Sequence, residues 1–86
     1  MKQIVYKTLG TCSQFIELEA DENQVITRLN VIGGCHGNLQ GISRLVQGRK
    51  LSDVEKQLAG IQCGTKPTSC PDQISRAIHE LLKQYE

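Results

Sequence analysis

The chain changes its apolar period once, near its middle, from two residues to about 3.6, and that one switch excludes most architectures. Residues 3–8 carry Ile4, Val5 and Tyr6 and read as a first strand. Residues 14–20 alternate, with Ile16, Leu18 and Ala20 facing one way and Glu17 and Glu19 the other. Asp21-Glu22-Asn23 supplies a turn. Residues 24–32 resume the alternation, with Val25, Thr27, Leu29 and Val31 opposed to Arg28 and Asn30. Three consecutive strands with short links predict an antiparallel meander.

From Asn38 onward the period is helical. Asn38 is an N-cap candidate, because its side chain can accept from the free amides of the next turn. A helix over residues 39–47 would bury Leu39, Ile42, Leu45 and Val46, with Gly48 ending it. Ser52 and Glu55 have the spacing of a capping box for a second helix that ends near Gly60 and turns Leu51, Val54 and Leu58 inward. Pro71 suits the first turn of a third helix, where its missing N–H costs no hydrogen bond. There Ile74, Ala77, Ile78, Leu81, Leu82 and Tyr85 form one stripe, with Arg76, Glu80 and Lys83 outside it.

The expected fold is therefore α+β: an N-terminal three-stranded antiparallel sheet packed by three C-terminal helices. With 86 residues and no linker, repeat or low-complexity tract, residues 1–86 read as a single domain. A domain of this size buries a modest share of its surface, so a metal or covalent staple would add noticeably to its stability. Its net charge is +1, and Tyr6, Phe15 and Tyr85 are its only aromatic residues. Nucleic-acid binding is not expected, since neither phosphate neutralisation nor base stacking is well supplied. The start of the chain has no apolar signal core, and no run reaches the roughly 20 apolar residues that span a bilayer. The expected location is the cytoplasm, with no membrane association. Reducing conditions there disfavour two standing disulfides.

The four cysteines avoid the apolar stripes. Cys12 lies in Gly10-Thr11-Cys12-Ser13, Cys35 in Gly33-Gly34-Cys35-His36-Gly37-Asn38, Cys63 in Gln62-Cys63-Gly64, and Cys70 in Thr68-Ser69-Cys70-Pro71-Asp72. Each is in a break between elements. If strands and helices alternate in direction, all four breaks fall at the same end of the molecule. Thiols gathered from four loops suit a structural tetrathiolate zinc site, which needs four converging ligands in a tetrahedron. The paired C-x-x-C knuckles of zinc ribbons are absent, and an iron–sulfur cluster uses the same ligand set. His36, beside Cys35, is a candidate additional ligand. Cys63 and Cys70 form the alternative, a redox dithiol, because a helix N-terminus stabilises the Cys70 thiolate. The third option is that the thiols are small buried hydrophobes.

Other chemistry is thinly represented. The Gly33–Asn38 stretch offers amides to an anion. It lacks the Lys-Ser/Thr of a P-loop and the spacing of a dinucleotide fingerprint, and turn geometry accounts for its glycines. His79 falls on the polar side of the third helix. Asp72 is expected in a first helical turn for dipole reasons alone. No Ser-His-Asp set, catalytic carboxylate pair or nucleotide motif is present, so no self-sufficient active site and no catalytic residue can be named.

Thr68-Ser69-Cys70-Pro71-Asp72 spells the signature of the TSCPD domain family, which the chain resembles. The likeness extends to Gly33-Gly34-Cys35-His36-Gly37-Asn38-Leu39-Gln40-Gly41-Ile42-Ser43 and to Leu58-Ala59-Gly60-Ile61-Gln62-Cys63-Gly64, and covers the chain from about Tyr6 to Leu82. The chain is similar to the short, free-standing members with four cysteines, here Cys12, Cys35, Cys63 and Cys70. It also resembles the C-terminal region of adenosylcobalamin-dependent (class II) ribonucleotide reductases, where a cysteine-rich tail is associated with metal binding or thiol handling. The reductase's barrel, radical-forming cysteine, nucleotide sites and cobalamin pocket have no counterpart in 86 residues. The resemblance implies a small zinc-binding accessory or interaction module linked to ribonucleotide reduction, with a ribonucleotide reductase as candidate partner. The alternative it implies is a thiol/disulfide carrier in which Cys63 and Cys70 pass electrons to that reductase.

Overall fold

The computed structural model describes residues 1–9, 13–33, 36–62, 64 and 68–86, with backbone alone at 13 and 36–38. Its elements are β1 (Lys2–Lys7), β2 (Ser13–Ala20), β3 (Ile26–Gly33), α1 (His36–Val46), α2 (Leu51–Leu58) and α3 (Cys70–Leu82), followed by a 3-10 turn over Lys83–Tyr85. The strands form one antiparallel sheet in the order β1-β2-β3. The three helices follow, as the change of period requires.

Alternation on β2 sends Ile16, Leu18 and Ala20 into the core, where they meet Ile26 and Leu29 of β3. Val46 of α1, Leu51 and Val54 of α2, and Ile74, Ala77, Ile78 and Leu81 of α3 close over them. Each fully buried Ile or Leu contributes about 1.5–3 kcal/mol by leaving water. The helices divide the sheet between them: α3 packs on β1 and β2, α1 on β3, and α2 against α3.

Four local expectations need correction. Simple alternation set Thr27 beside Leu29, but the β2–β3 register slips between Glu19 and Ala20, so that Glu19 faces Arg28 and Ala20 faces Ile26. This bulge inserts Thr27 as an extra residue. Thr27 then donates to Glu19 Oε1 at 2.7 Å, and Ile26 turns into the core. Helix α1 begins at His36, so Asn38 lies inside its first turn and does not precede it. Helix α2 begins at Leu51 with the extended Lys50 as its N-cap residue, which places Ser52 within the helix and removes the capping box. The cause is tertiary: Lys50 bridges Val25, and the Leu51 amide donates to Gln24 O at 2.9 Å. Finally, Leu45 is 75% exposed. At about 100° per residue it lies roughly 90° from the centre of the Leu39–Ile42–Val46 stripe, beyond the reach of a helix packed on one strand.

The chain travels back and forth between two ends. At one end the Asp21 carboxylate accepts from the amides of Asn23 (2.9 Å) and Val25 (3.0 Å), shaping the β2–β3 turn. Gly48, at φ 85°, ends α1 there and donates its N–H to Ile26 O at 2.8 Å. The Tyr85 hydroxyl donates to Asp21 O at 2.7 Å, pinning the terminal turn to the same end. The opposite end receives the exits of β1, β3 and α2 and the start of α3. Among the described residues, no helix is long and apolar enough to cross a membrane.

Candidate functional site

The segment from Thr68 to Asp72 starts α3 and does more than cap it. Ser69 is extended (φ −149°, ψ 171°), and its Oγ accepts from the Asp72 amide at 3.1 Å, as an N-cap serine should. The same Oγ donates to Ile61 O at 2.6 Å, beyond the end of α2. Pro71 occupies the first turn. The Asp72 carboxylate is buried and accepts three bonds. Its Oδ1 takes the Gly60 amide at 2.7 Å, and its Oδ2 takes the Thr68 hydroxyl and Arg76 Nε, the latter at 3.2 Å.

Gln73 extends the clasp. It is 1% exposed, donates Nε2–H to Thr68 Oγ1 at 2.9 Å, and accepts the Leu9 amide on Oε1 at 3.1 Å. One turn of α3 thus holds the segment after β1 and the segment after α2. Among the described residues, no buried side-chain nitrogen or oxygen lacks a partner. The Thr68 hydroxyl bond, with the Gly60 amide and Arg76, holds the Asp72 carboxyl below the ordinary aspartate value, although burial pushes it the other way.

Of the sequence-predicted site residues, Cys70 is described. It is the first residue of α3, directly after the N-cap Ser69, and is partly buried. Cys12, Cys35 and Cys63 lie outside the described residues, as does the side chain of His36, whose backbone opens α1. Of the Gly33–Asn38 anion cradle, Gly34 and Cys35 lie outside them too, while the backbone of residues 36–38 forms the first turn of α1.

The flanks of those breaks are described, and they share one end. Leu9, three residues before Cys12, is bonded to Gln73. Ser13, immediately after Cys12, faces Gly33 in the β2–β3 register, two residues before Cys35. Ile61, two residues before Cys63, is bonded to Ser69, the neighbour of Cys70. Among the described residues, no three His, Cys, Asp or Glu side chains form a metal-holding group. His79 is exposed, with Nδ1 3.2 Å from Glu55 Oε2, a surface pair of the kind its position on α3 predicts.

Sequence reasoning assigned Asp72 a dipole role and overlooked Gln73. The signal for Gln73 was present: it is a polar residue directly beside the Ile74–Ala77–Ile78 stripe, where burial demands partners. Nothing in the spacing of Gly60 and Asp72 reveals their bond, because the loop between them closes it.

The family model described as TSCPD domain matches residues 2–82. No curated protein and no solved structure matches the chain.

Proposed function

The chain belongs to the TSCPD domain family, and from that premise we propose that it is a small cysteine-cluster module in which Cys12, Cys35, Cys63 and Cys70 hold a zinc ion. The observation that carries this reading is the clasp at the start of α3. Its bonds tie Leu9, Gly60 and Ile61 to the turn that bears Cys70, so three of the four cysteine-bearing breaks are anchored within a few residues of their thiols. The fourth leaves β3 opposite Ser13. The donor set fits the ion: four thiolates satisfy a soft, tetrahedral dication. His36 is the reserve ligand should one thiol stand outside the set. Bound zinc would supply structural cross-linking among loops that a domain of this size closes weakly on its own.

The module acts as an accessory or interaction partner in ribonucleotide reduction; the likeness to the C-terminal region of class II reductases supports this placement. Anaerobic purification followed by elemental analysis should find about one zinc per chain, and Cys70→Ser should lower both the zinc content and the stability of the fold. A preparation with no metal, equally stable after chelation, would overturn the assignment. A visible absorption band would replace zinc with an iron–sulfur cluster.

The bond from Ser69 Oγ to Ile61 O favours one second reading, because it joins the breaks that carry Cys63 and Cys70. Oxidising that pair to a disulfide would release two electrons and two protons to a partner disulfide in a reductase. Redox titration should then find a reversible two-electron couple in the cytosolic range. Thiols that oxidise only on unfolding would refute the carrier.

A further inference from the structure

A cleft of about 270 Å3 runs between β3 and α1, at a distance from the clasp along the other edge of the sheet. Its walls are Leu29, Asn30 and Val31 of β3 and Leu39, Gln40, Ser43, Arg44 and Gln47 of α1. Leu29 and Leu39 are each 4% exposed and form an apolar floor. Ser43 keeps the cleft open, since its small side chain is turned back to donate to Leu39 O at 2.8 Å.

Among the described residues, the strand side of the cleft is an unfilled ladder. Ile26 directs its N–H to Arg49 O and its C=O to the Gly48 amide, both at 2.8 Å and both away from β2. After the extra residue at Thr27, antiparallel pairing turns every second residue the same way. Leu29 and Val31 therefore present their N–H and C=O groups to this edge. Past Ile26, no described residue bonds to that edge from outside the sheet. The other edge of the sheet, β1, is partly covered: Gln84 donates to Gln3 O at 3.0 Å, and Lys2 and Lys7 flank it with charge.

We propose that the β3–α1 cleft binds an extended peptide segment of a partner protein, which adds a strand beside Leu29 and Val31 and sets an acidic side chain against Arg44. The mode is strand addition to a sheet edge, in which backbone bonds supply affinity and alternate side chains enter the flanking groove. The charge follows from α1, which has no acidic residue, and from Arg44, which has no acidic partner among the described residues. The cleft volume accommodates one or two aliphatic side chains rather than a helix.

The test is selection from a random heptapeptide library displayed on phage, against the full chain. Enriched sequences should alternate apolar and polar residues and carry Asp or Glu. A synthetic copy of the best one should bind with 1:1 stoichiometry. Arg44→Glu, at an exposed position, should weaken that binding at least about tenfold, and Ser43→Trp should abolish it. Methylating the peptide amides that face β3 should remove binding, while methylating the alternate amides should leave it within about twofold. Failure to enrich any sequence over an unrelated bait overturns the proposal, as does a peptide indifferent to Arg44→Glu or to the methylation register. A concentration-dependent dimer abolished by Ser43→Trp would assign the cleft to a second copy of the chain instead.

Discussion

Replacing Asp72 with alanine removes the acceptor on which three segments converge. The Gly60 amide and the Thr68 hydroxyl each lose a bond to an ionised group, worth about 1.5–3 kcal/mol apiece. The Arg76 contact adds little, because the arginine side chain is 58% exposed. Relief of the buried carboxylate's desolvation offsets part of this loss, which leaves a cost of about 3 kcal/mol. For a domain of this length that corresponds to a melting temperature lowered by about 12–24 °C. Most small domains have about 5–15 kcal/mol to lose, so the variant should still fold. Urea unfolding followed by circular dichroism measures the loss, and amide hydrogen exchange should show Gly60 losing protection more than Val54 of the core. Acid provides a second readout. A carboxyl whose folded pKa lies below its unfolded one, about 3.9, adds stability that is present above that value and drains as the pH falls through the lower folded value. The wild type should therefore lose stability more steeply below about pH 4 than Asp72→Asn does. A change under about 0.5 kcal/mol in Asp72→Ala, with Gly60 exchange unaltered, would refute the clasp as the organiser of this end.

Further outcomes follow from single features. Tyr85→Phe removes the bond to Asp21 O and should cost about 1 kcal/mol in urea unfolding. Burial, then Asp21 and Glu22, raise the Tyr85 hydroxyl above its ordinary value. Its contribution should persist below about pH 10 and fade as the pH rises through the folded value, which ultraviolet titration of wild type against Tyr85→Phe would reveal. Ile74→Ala, at a position with no exposure, should cost about 3–4 kcal/mol by the same unfolding assay. Leu45→Glu should change stability by less than about 0.5 kcal/mol, since that side chain lies in solvent; a larger loss would contradict the packing of α1 on β3.

How far the fold could be read from the residues depended on where each signal originates. The existence of helix α3 was legible because its proline and its apolar stripe lie within one short segment; its Ser69 cap and the bonds of Gln73 were not foreseen. The strands were legible as a set, since Ile16, Leu18 and Ala20 alternate without interruption. The bulge at Thr27 was not, because it arises from pairing with Glu19 and from the β3 edge meeting Gly48 and Arg49 in a different element. Ser52 illustrates the same limit: a correct local motif was overridden when Lys50 paired with Val25 and started the helix earlier. At the candidate site, the positions of the breaks were readable from composition. The bonds that draw their flanks together were not, since Gly60 to Asp72 and Leu9 to Gln73 span 12 and 64 residues.

The position of α3 across β1 and β2 also sets an order of events during synthesis. The hairpins can pair as they leave the ribosome, but the β1–β2 part of their apolar side stays wet until residues 70–82 emerge to cover it. Until then Ile16 and Leu18 lack the α3 side chains that bury them. Cells making this protein would benefit from keeping it chaperoned until α3 docks.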